Sequence, residues 1–212
     1  MQNRRRFTRP APTRNPLPIV VVVCDDSRTA VAYFTELKRE VKHRVTVMVV
    51  KAPCHGAAAA SVIALAKSEA AELDRDRDDA DSSAVWALID LESEPERQDS
   101  AAKAKSGISG TDVQIALSKP CFEIWTLAHF VDTGEAFKDC GAVLAAVKSE
   151  WKKQLGVAFG KQKAQADYSK LMLLRAKAVE RCKQHRQRKD PSWTEVHWVV
   201  ESIDALCRDN CL

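Results

Sequence analysis

At 212 residues with a formal net charge of +4, the chain is long enough for one sizeable buried core. No apolar run approaches the ~18 residues that a membrane-spanning helix needs, and the basic amino terminus lacks the apolar centre of a signal peptide. Seven cysteines, an odd number without any CxxC pair, argue against a disulfide framework or a zinc knuckle and fit a reducing cytoplasm.

The charge is segregated. Residues 1–18 carry five Arg and no acid, residues 19–137 sum to −7, residues 138–190 to +9 and residues 191–212 to −3. An acidic middle followed by a basic segment suits an anionic partner, nucleic acid being the commonest; it is equally the pattern of a solubilising helical face. Within the basic segment the cluster Arg181, Lys183, Arg186, Arg188 and Lys189 precedes Trp193 with almost no aromatic residue. That composition favours contact with backbone phosphates over base stacking.

In chain order, residues 1–18 hold four of the eight prolines and read as a disordered basic arm. Ile19–Val23 is a β-branched apolar run and predicts a buried strand. Polar Cys24-Asp25-Asp26-Ser27 follows, then helical spacing over Thr29–Lys38. Val45–Val50 predicts a second strand, followed by a loop with Pro53, His55 and Gly56 and an alanine-rich helix to about Leu73. The run from Asp74 is charged and turn-prone enough to close that helix as a loop.

Ala84–Glu92 (AVWALIDLE) is the central prediction. Six unbroken apolar residues suit a strand covered on both faces, and Asp90 and Glu92 come where it would emerge. Two apart on an extended backbone, they point the same way. Converging carboxylates repel unless a cation or proton lies between them, and oxygen ligands suit Mg²⁺ or Mn²⁺. The plainer reading is a solvated acidic loop. A short helix over Pro95–Ser106 and a fourth strand at Val113–Leu117 are expected next. Strands alternating with helices imply parallel pairing, which brings Asp25 beside Asp90 and Glu92 on the edge where such sheets bind ligands.

A helix is expected from Pro120 in its first turn through Phe130, with Glu123 near its start and Trp125 and His129 on one face. Those two are either core packing or a wall beside the site, and His55 is a further acid/base candidate. Helices over Val143–Leu155, about Ala164–Arg186 and Trp193–Leu206 complete the chain. There is no GxxxxGK[ST], no GxGxxG and no Ser-His-Asp or Cys-His spacing.

The most specific stretch, SKPCFEIWTLAHF (residues 118–130), resembles the RloB family pattern of the type SNPCFE-x-W-x-L-x-HF. VVVVCDDSRTAVAYFTELK (20–38), the strand ending in Asp90, and DPSWTEVHWVVESI (190–203) match further family segments in order and spacing. The family is related to the Toprim fold. The resemblance implies a Toprim-like α/β core over 19–130, its parallel sheet flanked by helices, with a helical carboxyl-terminal extension over 131–212. It implies an Mg²⁺- or Mn²⁺-dependent nuclease or related phosphoryl-transfer protein in bacterial anti-phage defence, with an ATPase partner encoded nearby. Carried over by position, the catalytic and metal-holding acids fall on Asp25, Asp90 and Glu92, with Lys119 placed to reach a phosphate. Asp26, Glu123 and His129 are additional candidates. Five positions differ from the pattern: Asp25 for Glu, Asp26 for Gly, Ala30 for Glu, Glu92 for Asp and Lys119 for Asn. The alternative they motivate is a non-catalytic binding or regulatory module of a defence complex.

Overall fold

The apolar runs of the first half line up side by side. The computed structural model describes residues 16–25, 28–52, 59–76, 83–92, 112–159 and 164–209. Strands β1 (Ile19–Cys24), β2 (Thr46–Lys51), β3 (Ala84–Asp90) and β4 (Val113–Lys119) are parallel, and β5 (Trp193–Thr194) joins antiparallel at one edge, giving the order β2-β1-β3-β4-β5. Central β1 and β3 explain why their sequences do not alternate. Val20, Val22, Trp86 and Leu88 enter one core, while Val21, Val23, Val85, Ala87 and Ile89 enter another on the opposite face. A strand covered on both sides has no position for a polar residue until it leaves the sheet.

Helix α1 (Arg28–Val41) packs on the first face, through Tyr33, Phe34 and Leu37. Helix α2 (Ala59–Asp76) covers the second, through Val62, Ile63 and Ala66. It continues through Asp76, taking in the first three residues of the charged run expected to end it. The carboxyl-terminal helices α3 (Glu123–Ala128), α4 (Cys140–Leu155), α5 (Ala164–Met172), α6 (Arg175–Arg188) and α7 (Val196–Asp209) join α1 on the first face, where Trp125, Val143, Trp151, Leu171, Ala178, Val199 and Ile203 share one core. At its centre Tyr33 meets Trp125, His129, Phe122 and Tyr168 edge-on, with ring centroids 5.5 to 6.3 Å apart.

Three expected elements are corrected. Pro120 lies in a bend ahead of α3, beyond a cis Lys119–Pro120 peptide, because β4 runs two residues further than its apolar run and α3 starts only at Glu123. The helix expected over Ala164–Arg186 is two, broken at Leu173 and Leu174, with Leu173 87% exposed. The break lets Arg175 reach Glu40 on α1 at 3.0 Å and Asp204 on α7 at 3.1 Å. The last helix starts at Val196, because Trp193 and Thr194 extend the sheet and the Thr194 hydroxyl shares a 2.8 Å hydrogen bond with that of Ser118. The expected basic arm (bar its last residues), the His55 loop, Asp26 and the Pro95–Ser106 helix lie outside the described residues.

Candidate functional site

Parallel pairing sets the site. Cys24 is in register with Leu88, so Asp25 leaves β1 beside the stretch in which Asp90 ends β3. Asp90 is in turn opposite Ser118 of β4. Backbone bonds stitch the same edge beyond the strands: Leu91 N–H donates to Ser118 O and Glu92 N–H to Pro120 O, both at 2.8 Å. The loop from Pro120 to Phe122 therefore lies against the end of β3, and it delivers Glu123 to the acids. Thr29, in the first turn of α1, donates its hydroxyl to Glu123 Oε1 at 2.8 Å, which fixes that carboxylate between β1 and β4.

Asp90 has its carboxyl pushed well above the ordinary range, first by burial and then by the negative charges of Asp25 and Glu123, with a backbone hydrogen bond from Phe122 opposing the shift. Two further carboxylates, from the ends of other segments, thus act on Asp90. Asp25 and Asp90 were expected together from the strand logic, and Glu123 completes the set through a signal the sequence did carry, its position at the start of the helix after β4. Glu92 stands beyond the end of the strand. The extended backbone ends at Asp90 and Glu92 has a left-handed φ of 49°, so the alternation that would aim both side chains the same way stops one residue too early. Its charge is felt at Cys140, the first residue of α4, alongside that of Glu123. Lys119, the last residue of β4, stands in register with Trp193.

Carboxylate oxygens are the hard donors that Mg²⁺ and Mn²⁺ take, and a half-buried Asp90 acted on by two other acids is a group that a cation would neutralise. In kind, then, the donor set fits. Among the described residues, no three His, Cys, Asp or Glu side chains are gathered closely enough to hold a metal ion as they stand.

His129 stands apart from the acids. Its Nδ1 lies 2.8 Å from Trp125 O, its ring packs edge-on to Trp125 at 4.9 Å, and its Nε2 is buried without a hydrogen-bond partner. Burial lowers its pKa to about 4, so it is a neutral core residue at physiological pH.

The basic cluster is spent differently from what its composition suggests. Arg181 Nη1 donates to Ala128 O at 2.7 Å, and Lys183 pairs with Glu201. Arg188 forks onto Asp132 and Asp190, each at 2.8 Å, and Lys189 is the left-handed cap of α6 with φ 58°. Arg186 stacks 4.2 Å above the Trp193 ring and reaches the buried Glu195 at 3.1 Å. Glu195 also accepts from Leu117 N–H at 3.1 Å, standing in for a strand partner where β5 ends. Sequence reasoning did not single out Glu195. Its isolation in an apolar stretch, between Trp193 and Val196, was the available signal.

A protein-family model described as RloB-like protein matches residues 20–203. The chain belongs to the RloB-like family. The match runs from the second residue of β1 into α7, so it takes in the acidic edge, the aromatic centre and the basic helix of this RloB-like protein. No curated protein and no solved structure matches it.

Proposed function

We propose that this RloB-like protein is a divalent-cation-dependent nuclease, or a related phosphoryl-transfer protein acting on nucleic acid, and that its site is the carboxyl edge of the sheet. The observation that supports this most is the convergence of Asp25, Asp90 and Glu123 from three neighbouring segments of a mostly parallel sheet. Ligands bind open α/β sheets at that edge, and a protein keeps like charges together only where something else balances them.

In this reading Asp25, Asp90 and Glu92 hold Mg²⁺ or Mn²⁺ and Glu123 joins them. Asp90 is the anchor, held from behind by the Phe122 backbone, and Asp25 approaches from β1. Thr29 keeps Glu123 turned toward the pair. When bound, the cation supplies the positive charge that polarises a phosphoryl oxygen and favours ionisation of an attacking water. Lys119 at the end of β4 is placed to meet a phosphate, while Lys189 and the arm's arginines add attraction for a polyanion. The family resemblance supports a setting in anti-phage defence, in the cytoplasm and with an ATPase partner. No described helix is long and apolar enough to cross a membrane.

A second reading has its own support. Glu92 is turned off the line of β3, and the departures at Asp25, Glu92 and Lys119 from the family pattern all stand at this edge. Both are what a site used for binding without turnover would tolerate. Calorimetric titration of Mn²⁺ into wild type and Asp90→Asn, beside nuclease assays on DNA and RNA, separates the two. Binding and cleavage that both vanish in the variant support the enzyme. Binding without cleavage supports the module, and no binding by a folded wild type overturns the site.

A further inference from the structure

The short strand β5 stops one residue before β4 has all its partners. Lys119 pairs with Trp193 and Ser118 with Thr194, so the antiparallel ladder would next set Leu117 against Glu195. Opposed residues at a hydrogen-bonded position of such a ladder exchange two N–H to O bonds, one in each direction. Glu195 N–H does donate to Leu117 O at 2.7 Å, but Glu195 O is taken by Trp198 N–H at 2.9 Å as α7 begins. The Glu195 carboxylate supplies the second bond. Its Oε2 accepts from Leu117 N–H at 3.1 Å, while its Oε1 lies 3.1 Å from Arg186 Nη2 on α6. A glutamate suits this place because its two oxygens accept in two directions, and both neighbours offer only donors.

The other side of the same stretch of β4 meets the acidic edge. Asp90 is in register with Ser118, Ser118 O takes Leu91 N–H and Pro120 O takes Glu92 N–H, both at 2.8 Å. Beyond Pro120 the chain delivers Glu123, which Thr29 holds at 2.8 Å. The exit of β4 therefore lies between the end of β3 on one side and Glu195 on the other.

We propose that Glu195 is a positioning residue for the acidic edge: it fixes the exit of β4 and so sets Asp90, Glu92 and Glu123 for a divalent cation. The proposal rests on the reading of that edge as a cation site. Glu195 acts on the cation only through Leu117, Ser118 and Pro120. Without its carboxylate the buried Leu117 N–H loses its acceptor, which favours a shift of the residues that carry the acceptors of Leu91 and Glu92. Groups that hold metal ligands in place from behind are worth about 10–100-fold in affinity. The carboxyl-terminal helices are then part of the site's construction, since α6 supplies the counter-ion and the turn into α7 supplies the glutamate.

The test compares full-length wild type, Glu195→Ala and Ile203→Ala, the last a buried core position further along α7 that controls for lost stability alone. Amide exchange followed by NMR without metal reads the edge directly, with Val22 of central β1 as the reporter of global unfolding. Calorimetric titration of Mn²⁺ into each folded protein reads the site. Glu195→Ala should lose protection at Leu91 and Glu92 relative to Val22 and bind Mn²⁺ about tenfold more weakly. Ile203→Ala should keep both the relative protection and the affinity. Wild-type protection at Leu91 and Glu92 in Glu195→Ala would overturn the proposal, as would lost protection with unchanged Mn²⁺ affinity, or the same losses in Ile203→Ala. If the alanine variant does not fold, Glu195→Gln takes its place with smaller changes in the same direction, because it keeps an oxygen for Leu117 N–H but sets an amide N–H against Arg186. A wild type that binds no Mn²⁺ overturns the cation reading instead, and the exchange at Leu91 and Glu92 still decides whether Glu195 holds the edge.

Discussion

The end of β3 and the flank of α6 are both crowded with charge, and they spend it in opposite ways. At β3, acid meets acid: Asp90 is destabilised as a carboxylate by its burial and by Asp25 and Glu123. Along α6, base meets acid: Lys183 finds Glu201, Arg186 finds Glu195, and Arg188 finds Asp132 and Asp190. The second arrangement is satisfied within the chain and behaves as structure. The first is unfavourable by itself and becomes favourable only when a cation or proton arrives. The contrast explains why a run of basic residues is a weaker pointer to function than a small group of acids at a sheet edge.

The largest expected effect tests whether α6 is structural. Arg186→Ala takes the guanidinium away from the buried Glu195 carboxylate, which should cost about 3 kcal/mol of unfolding free energy in urea titrations. An Arg186 that mattered only for nucleic acid would leave the urea midpoint where it was.

Second comes the pH response of the aromatic centre. The folded state holds His129 at about 4, below its unfolded value near 6.5. Its contribution is therefore intact above pH 6.5 and is lost as pH falls from there toward 4, by on the order of 3 kcal/mol. Thermal melts from pH 7 to pH 4 on wild type and His129→Gln should show a drop in wild type that is reduced in the variant.

Asp132 provides the opposite case. Its Arg188 and His185 contacts depress its pKa to about 2, so its smaller, solvent-screened contribution is present above about pH 4 and fades only as pH falls toward 2. The steps near pH 6 to 4 and below pH 4 are separable in the same melts if Asp132→Asn loses only the lower one.

Asp90→Asn sharpens the acidic side of the comparison. It removes a half-buried carboxylate acted on by like charges, so without added metal the melting temperature at pH 7 should rise. In parallel, Mn²⁺ affinity should fall by at least about tenfold. A variant less stable than wild type and still binding Mn²⁺ would show that Asp90 is an ordinary structural acid. The smallest effect belongs to Lys189→Ala. As an exposed cap it should leave stability almost unchanged and reduce the salt dependence of any nucleic-acid binding by about one phosphate contact.

That Asp25 and Asp90 share one edge was legible in the sequence. Asp25 and Asp90 follow from apolar runs that can only be two-sided strands, because parallel strands put all their carboxyl ends on one edge. Glu92 was read by a rule of alternation that holds only while the backbone stays extended, and its left-handed φ ends that at Asp90. The choice of Arg186 as the partner of Glu195 left no mark in their spacing.

What the sequence determined by itself is therefore local: where apolar runs make buried strands, where helical periodicity begins, and which acids stand at strand ends. Hydrophobic burial and backbone geometry act over a few residues, so a linear pattern contains them. Only the tertiary structure decided which charges balance one another. It bent the 164–188 segment at Leu173 to give Arg175 its two carboxylates, drew Trp193 and Thr194 into the sheet, and left the acids of β1, β3 and α3 facing each other. Coulomb and hydrogen-bond partners are chosen by distance in space, and distance in space is set by the packing of the whole chain.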